Sequence, residues 1–132
     1  MIILDTHAWI WFLSNPEELS PIAKEKIESA AEKQAVYVSA ISVWELAMLV
    51  KKDRLRLTIS LEEWVLIAER LAFLHYVPID NTIAIQSVNL PGNLHNDPAD
   101  RIIIATAIQL RAPVMSKDRR IRDYPHVASF WD

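Results

Sequence analysis

Several residue types on which common folds and active sites depend are absent or scarce in this chain of 132 residues. It has no cysteine, which excludes disulfide scaffolds, thiolate zinc sites and cysteine nucleophiles. It has one glycine, Gly92, whereas glycine-rich phosphate loops and esterase nucleophile elbows need at least two. Its longest apolar runs, residues 8–13 and 102–108, are far shorter than the roughly 20 residues of a membrane span. We therefore expect a soluble, cytoplasmic protein with no membrane segment.

Length and charge limit the architecture further. A chain of 132 residues has the size of one domain, so we expect a single domain over residues 1–132. Seventeen acidic residues against 14 lysines and arginines give a net charge of −3. The surface as a whole therefore does not attract nucleic acid, and a polyanionic ligand would need a local basic patch or a bound metal.

Short apolar runs alternate with helical stripes along the whole chain. The pattern predicts strands at residues 2–4, 36–41, 76–79, 113–116 and 127–131, and between them helices that include residues 43–53, 82–90 and 98–111. This alternation is typical of a three-layer α/β/α sandwich with a mostly parallel, roughly five-stranded sheet. In such a sheet the carboxyl ends of the strands and the amino ends of the following helices meet along one edge, where ligands bind.

Five acidic residues fall at that predicted edge. They are Asp5, Glu45, Asp97, Asp100 and Asp118. Carboxylates brought so close together repel one another unless a positive charge neutralises them, and carboxylate oxygens are the ligands that Mg²⁺ and Mn²⁺ prefer. Without cysteine or a paired-histidine motif, zinc is not expected. The sequence therefore predicts a site for a hard divalent cation.

Each of these acids except one also has a purely structural interpretation. Glu45 ends a capping box, Asp97 precedes a proline as a helix cap does, Asp100 lies in the first helical turn, and Asp118 is a turn residue. No cap or turn motif accounts for Asp5. Because separate helix caps have no reason to share one edge of a sheet, we favour a common functional site.

Three stretches of the sequence resemble the PIN domains of VapC-type toxin ribonucleases. They are MIILDTHAWIWFL, SAISVWELA and HNDPADRIIIATAIQLRAPVMSKDRRI, and the resemblance runs from residue 1 to about residue 122. It implies a metal-dependent endoribonuclease, the toxin of a toxin-antitoxin pair, which forms a homodimer and is inhibited by a cognate antitoxin. It also implies that Mg²⁺, with Mn²⁺ as the alternative, activates a water molecule against RNA phosphodiesters. The residues that it assigns to the metal and to catalysis are Asp5, Glu45, Asp100 and Asp118.

Three further residues are expected beside these ligands. Thr6 and Ser116 would support the acids with hydroxyl groups, although Ser116 stands where many family members have threonine. Asp97 is a carboxylate found in only some branches of the family, and we assign it to the helix cap or to the orientation of a metal-bound water, with direct ligation left open.

Eight of the 14 basic residues lie in two short windows. The second window adjoins Asp118, so we expect it to contact RNA phosphates at the mouth of the site. An ordinary solvated surface, or pairing with acids of a partner protein, is the alternative. The first window holds Lys51, Lys52, Arg54 and Arg56, and the second holds Lys117, Arg119, Arg120 and Arg122.

The aromatic residues and histidines give weaker indications. Three of the four histidines, His95 among them, have no visible partner. The positions of Trp44 and Trp64 on helical stripes predict core residues, whereas Trp9, Trp11 and Trp131 are candidates for a dimer or antitoxin interface.

Two other functions stay open at this point. A nuclease with the same acids that acts on DNA is one, although flap-type nucleases need additional helices to thread a strand. The other is a non-catalytic PIN-like protein-interaction module whose acids only cap helices. Parallel assays on single-stranded RNA and branched DNA separate the first from a ribonuclease, and absence of acid-dependent divalent-ion binding would favour the second.

Overall fold

Strands and helices alternate through all 132 residues of the computed structural model. The strands are β1 (Ile2–Leu4), β2 (Val36–Ser39), β3 (Leu74–Val77), β4 (Val114–Met115) and β5 (Ser129–Phe130). The α-helices are α1 (Thr6–Ser14), α2 (Pro21–Glu32), α3 (Ala40–Lys51), α4 (Leu61–Glu69), α5 (Asn81–Val88), α6 (Pro98–Leu110) and α7 (Arg119–Arg122). All neighbouring strands are parallel, in the order β3-β2-β1-β4-β5. The predicted five-stranded α/β fold is therefore confirmed.

Side-chain alternation along the buried strands creates two cores, one on each face of the sheet. Ile2 and Leu4 of β1 belong to the core packed by α1, α2 and α4, whereas Ile3 belongs to the core packed by α5 and α6. The helices on both faces make the predicted three layers. The longest helix, α6, has 13 residues, and no helix of the chain has the length and apolar character needed to cross a membrane.

The bounds of the second and third predicted strands differ from those in the structure by two residues. The second strand ends at Ser39 rather than at residue 41, because the Ser39 side chain accepts a hydrogen bond from the Ile41 amide at 3.2 Å and starts α3. The third strand covers Leu74–Val77 rather than 76–79, because Pro78, which follows it, has no amide hydrogen for the ladder.

The strand order places a switch point beside β1. The chain builds β2 and β3 on one side of β1 and then returns to its other side to form β4 and β5. The connections that follow β1 and β4 therefore diverge, which opens a crevice at the carboxyl edge of the sheet.

Candidate functional site

The crevice holds a cavity of about 430 Å³ at the carboxyl ends of β1 and β4. All five acidic residues predicted for this edge line it, together with Thr6, His7, Trp11, Lys117 and Arg120. The structure thus brings together side chains from four separate parts of the chain. Ser116 is fully buried next to Asp5, and Arg119 and Arg122 lie outside the lining.

Asp5 joins the sheet directly to the first helix. Its amide donates to the Met115 carbonyl at 3.1 Å, and its carboxylate accepts from the Ala8 amide at 2.9 Å as the N-cap of α1. The expectation that no cap accounts for Asp5 is therefore wrong, because Asp5 is the one residue between the end of β1 and the start of α1. Burial raises the pKa of the Asp5 carboxyl to about 6, against the opposing effects of the Ser116 hydroxyl and the Ala8 amide.

Glu45 accepts a hydrogen bond from a side-chain hydroxyl and does not cap a helix. Since Ser39 caps α3, Glu45 lies in the second helical turn, and its interpretation as part of a capping box is wrong. The Thr6 hydroxyl donates to Glu45 Oε1 and lies 2.9 Å from the Ser42 hydroxyl. Because Thr6 has a single hydroxyl proton, Ser42 must donate to Thr6. Burial, and after it the nearby charge of Asp100, raises the pKa of Glu45.

Asp97 and Asp100 lie at the start of α6. Asp97 caps the helix, accepting from the Asp100 amide at 2.9 Å, as its position before Pro98 predicts. The Asp100 carboxylate, only 16% exposed, lies 2.7 Å from Nε2 of His95. Burial raises the pKa of Asp100, although the hydrogen bond from His95 acts in the opposite direction.

Asp118 caps the short helix α7 and is paired with an arginine. Its carboxylate accepts from the Arg120 amide at 2.8 Å and from the Arg120 guanidinium at 2.9 Å. These bonds hold the pKa of Asp118 below its usual range. The same guanidinium lies 3.9 Å from Asp100, so Arg120 faces two carboxylates of the cleft.

The donor set fits a hard divalent cation. Carboxylate oxygens of Asp100 and Asp118 lie within 4.8 Å of each other, and a ring nitrogen of His95 lies within the same distance of both. The carboxyls of buried Asp5 and half-buried Glu45 accept hydrogen bonds only from neutral hydroxyl and amide groups. A concentration of carboxylate oxygens with so little compensating positive charge is the environment that Mg²⁺ and Mn²⁺ stabilise.

The second basic window is less available than its sequence suggests. Arg120 is engaged with Asp118, and Arg122 pairs with Asp132 at 2.7 Å. Lys117 is exposed, with its ammonium group 5.7 Å from the centre of the Trp11 ring.

Three of the five tryptophans do not lie where the sequence predicted them. Trp9 and Trp131 are buried in the core rather than at an interface, whereas Trp44, predicted in the core, is 57% exposed. Trp64 is buried as predicted, and Trp11 is half-buried at the cleft.

Sequence reasoning missed His95 and Ser42 as members of the site. His95 precedes Asp100 by five residues across a loop and a helix start, and no simple periodicity indicates that contact. Its position two residues before the Asp97 helix cap was the available signal. Ser42 bonds to Thr6, which lies 36 residues earlier in the chain, so its role depends on the tertiary fold.

Comparison with known proteins places this architecture in a family. The PIN domain model matches residues 2–127. The chain is 38% identical over 126 residues to Ribonuclease VapC22 of Mycobacterium tuberculosis, which covers 95% of this chain and 92% of the relative.

Solved structures agree with that match. FitAcB from Neisseria gonorrhoeae is 27% identical, with a TM-score of 0.66 and coverage of 98% and 96% of the two chains. VapBC2 from Rickettsia felis, solved with a DNA fragment from its promoter, is 17% identical and shares the fold over the full length of both chains with a TM-score of 0.71. From the sequence match and the shared fold together, this chain belongs to the PIN domain family.

Proposed function

We propose that this chain is a metal-dependent endoribonuclease that acts as the toxin of a toxin-antitoxin pair. The observation that carries the proposal is the convergence of five acidic residues in one cleft, three of which have pKa values raised by burial. The 38% identity to a protein named Ribonuclease VapC22 supports RNA as the substrate. A module whose acids only cap helices would not need Glu45, which caps no helix in this fold.

Four carboxylates would hold the cation. These are Asp5, Glu45, Asp100 and Asp118, and the ion is Mg²⁺ or Mn²⁺. When bound, such an ion lowers the pKa of a coordinated water and neutralises charge that develops on the phosphate. Thr6 orients Glu45 through its hydroxyl, the Ser116 hydroxyl supports Asp5, and Asp97 keeps the amino end of α6 in place.

RNA would enter over the mouth of the cleft. Of the four basic residues proposed to contact phosphates, Lys117 and Arg119 are exposed and lack a carboxylate partner within the chain. Arg120 and Arg122 would have to exchange their present acidic partners for phosphate oxygens. Lys117 and Arg119 are thus the first contacts that we propose.

The structural neighbours support a protein partner. Among these neighbours is a toxin-antitoxin complex from Klebsiella pneumoniae. We propose that this chain likewise binds a cognate antitoxin, forms a homodimer and acts in the cytoplasm, where RNA is accessible.

The test is cleavage of single-stranded RNA by the purified protein in Mg²⁺ or Mn²⁺. We expect Asp5→Asn and Asp100→Asn to reduce the rate on the order of 10³-fold, equivalent to about 4 kcal/mol of transition-state stabilisation. Asp80→Asn is the matched control, because Asp80 caps α5 through a 2.8 Å bond to Ile83 but lies outside the cleft. Since asparagine caps helices well, this control should remain active.

Three results would contradict the proposal. Cleavage that persists in excess EDTA would exclude a divalent cation, and cleavage that survives both cleft substitutions would exclude the carboxylates. Faster hydrolysis of branched DNA than of RNA would indicate that the protein is a DNA nuclease and not a ribonuclease.

A further inference from the structure

His95 is the one basic side chain buried with the carboxylates of the cleft. Its Nε2 lies 2.7 Å from Asp100 Oδ2, and each of the two side chains is only 16% exposed. The remaining neighbours of Asp100 include two acids, Asp97 and Asp118, whose charges oppose its ionised form. Arg120 is 3.9 Å from Asp100 but bonds more closely to Asp118, at 2.9 Å. His95 therefore makes the closest favourable side-chain contact to Asp100.

The backbone that carries His95 is held by the residue next to Asp100. The Arg101 guanidinium donates to the carbonyls of Ser87 at 2.8 Å, Leu94 at 3.0 Å and His95 at 3.3 Å. Because Arg101 and Asp100 are consecutive residues of α6, the same helix turn fixes the loop and presents the carboxylate. The approach of the imidazole to Asp100 is thus set by the backbone, not by a flexible side chain alone.

The hydrogen-bond partners of the two ring nitrogens of His95 indicate which nitrogen carries the proton. Nδ1 of His95 is buried and has no partner, whereas Nε2 faces Asp100. An ionised carboxylate can only accept a hydrogen bond, so Nε2 must be the donor. A nitrogen that carries a proton has no free electron pair for a metal ion, which separates His95 from the carboxylates that are proposed to bind the ion directly.

We propose that His95 is a positioning residue for the metal site. Its Nε2–H holds Asp100 Oδ2 against the repulsion of the neighbouring acids and leaves the remaining electron pairs of the carboxylate free for the cation. The inference rests on the proposed function, since it assumes that Asp100 is a ligand.

The experiment is calorimetric titration of Mn²⁺ into the metal-free protein and its variants. His95→Gln and His95→Asn form the decisive pair, because the longer glutamine amide reaches the position of Nε2 and the asparagine amide does not. We expect His95→Asn and His95→Ala to weaken Mn²⁺ binding 10- to 100-fold, a typical effect of losing a group that supports a ligand, and His95→Gln to retain most of the affinity. His126→Ala is the control, because its exposed ring packs beside Gly92 of the same loop without contacting a carboxylate.

Two outcomes would overturn the inference while the proposed function stands. The first is wild-type affinity in His95→Asn while Asp100→Asn loses binding. The second is a nitrogen hyperfine coupling in the electron paramagnetic resonance of bound Mn²⁺ that disappears in His95→Gln, because the ring would then be a direct ligand. Wild-type affinity in Asp100→Asn would instead contradict the proposed function, and the inference with it.

Discussion

The cleft contains two groups of carboxylates whose partners differ in kind. The inner group, Asp5 and Glu45, is bonded to hydroxyls and backbone amides, all of them neutral. The outer group, Asp100 and Asp118, has an imidazole and a guanidinium as partners. The pKa values of Asp5 and Asp118 differ most clearly. Burial raises the pKa of Asp5 to about 6, whereas Arg120 lowers the pKa of Asp118.

This contrast predicts what a cation would have to displace at each end of the proposed metal site. At the inner group it would compete with protons, because only neutral groups donate hydrogen bonds to these carboxyls. At the outer group it would compete with the Arg120 side chain, which is already near both carboxylates. Proton release and arginine displacement would therefore be separate contributions to the free energy of cation binding, and a mutation at Asp5 or at Arg120 would remove one without the other.

The largest expected effect is a pH-dependent loss of stability that originates at Asp5. Its folded-state pKa of about 6 lies above the ordinary value of 3.8, so the folded protein binds this proton more tightly than the unfolded chain does. The resulting stabilisation is fully present below about pH 4 and is lost as the pH rises through about 6, which amounts to about 3 kcal/mol. Urea unfolding in EDTA between pH 4 and 7 should show this loss in the wild type but not in Asp5→Asn.

Saturating Mg²⁺ should abolish most of the fall in the wild-type free energy of unfolding between pH 4 and 7, because the cation compensates the charge of the ionised carboxyl. A wild-type minus Asp5→Asn difference in unfolding free energy that stays constant from pH 4 to 7 would show that the inner group is not protonated on burial. The contrast between the two groups would then be wrong.

A smaller effect is expected from the hydroxyl that joins the inner group. Thr6→Val keeps the shape of a side chain that is only 3% exposed but removes its bonds to Ser42 and Glu45. We expect a loss of about 1 to 3 kcal/mol in the free energy of unfolding, together with weaker Mn²⁺ binding, and recovery of both in Thr6→Ser.

Thr106→Val distinguishes a local role of Thr6 from a general loss of stability. The Thr106 hydroxyl is also buried, but it donates to the Ile102 carbonyl within α6 and lies away from the cleft. Its loss should lower stability with no change in Mn²⁺ affinity. Equal Mn²⁺ affinities in Thr6→Val and the wild type would show that Glu45 needs no support from the hydroxyl.

The smallest effect is expected at the outer group. Arg120→Ala removes a positive charge that faces two carboxylates, and this should strengthen Mn²⁺ binding by about 3- to 10-fold at low ionic strength. The gain should shrink as salt is added, because the guanidinium is exposed. Arg119→Ala is the control in the same calorimetric titration, because Arg119 is an exposed neighbour with no acidic partner. Weaker Mn²⁺ binding in Arg120→Ala would indicate that Arg120 supports the metal site instead of competing with the cation for it.

The sequence was sufficient for the layers of the fold and for the edge at which the acids meet. Strand and helix periodicities predict a parallel sheet, and the topology of such a sheet brings Asp5 and Asp118 together although 113 positions separate them. Asp97 was also predicted correctly as a cap, because its partner is three residues away in the same helix. These features depend on local pattern or on general topology.

The remaining features depend on which side chains meet across the fold. The bonds from Thr6 to Ser42 and Glu45 span 36 and 39 residues, and no local pattern encodes them. Trp44 was misplaced because α3 turns Ser42 and Leu46, four positions apart, toward the interior. Trp44 lies midway between them along the helix and therefore points toward solvent, whereas the apolar stripe in the sequence predicts a core position for it.

Asp5, the single residue between β1 and α1, takes part both in the fold and in the candidate site. Asp5 donates to the sheet through its amide, starts the helix through one carboxylate oxygen, and offers its remaining electron pairs to the cleft. Inserting or deleting one residue here would disturb the sheet edge, the helix start and the position of the acid at once, whereas the segment between α3 and α4 does not line the acidic cleft. We expect this junction to set the limits within which the protein can be engineered, since the fold and the site cannot be altered independently at that point.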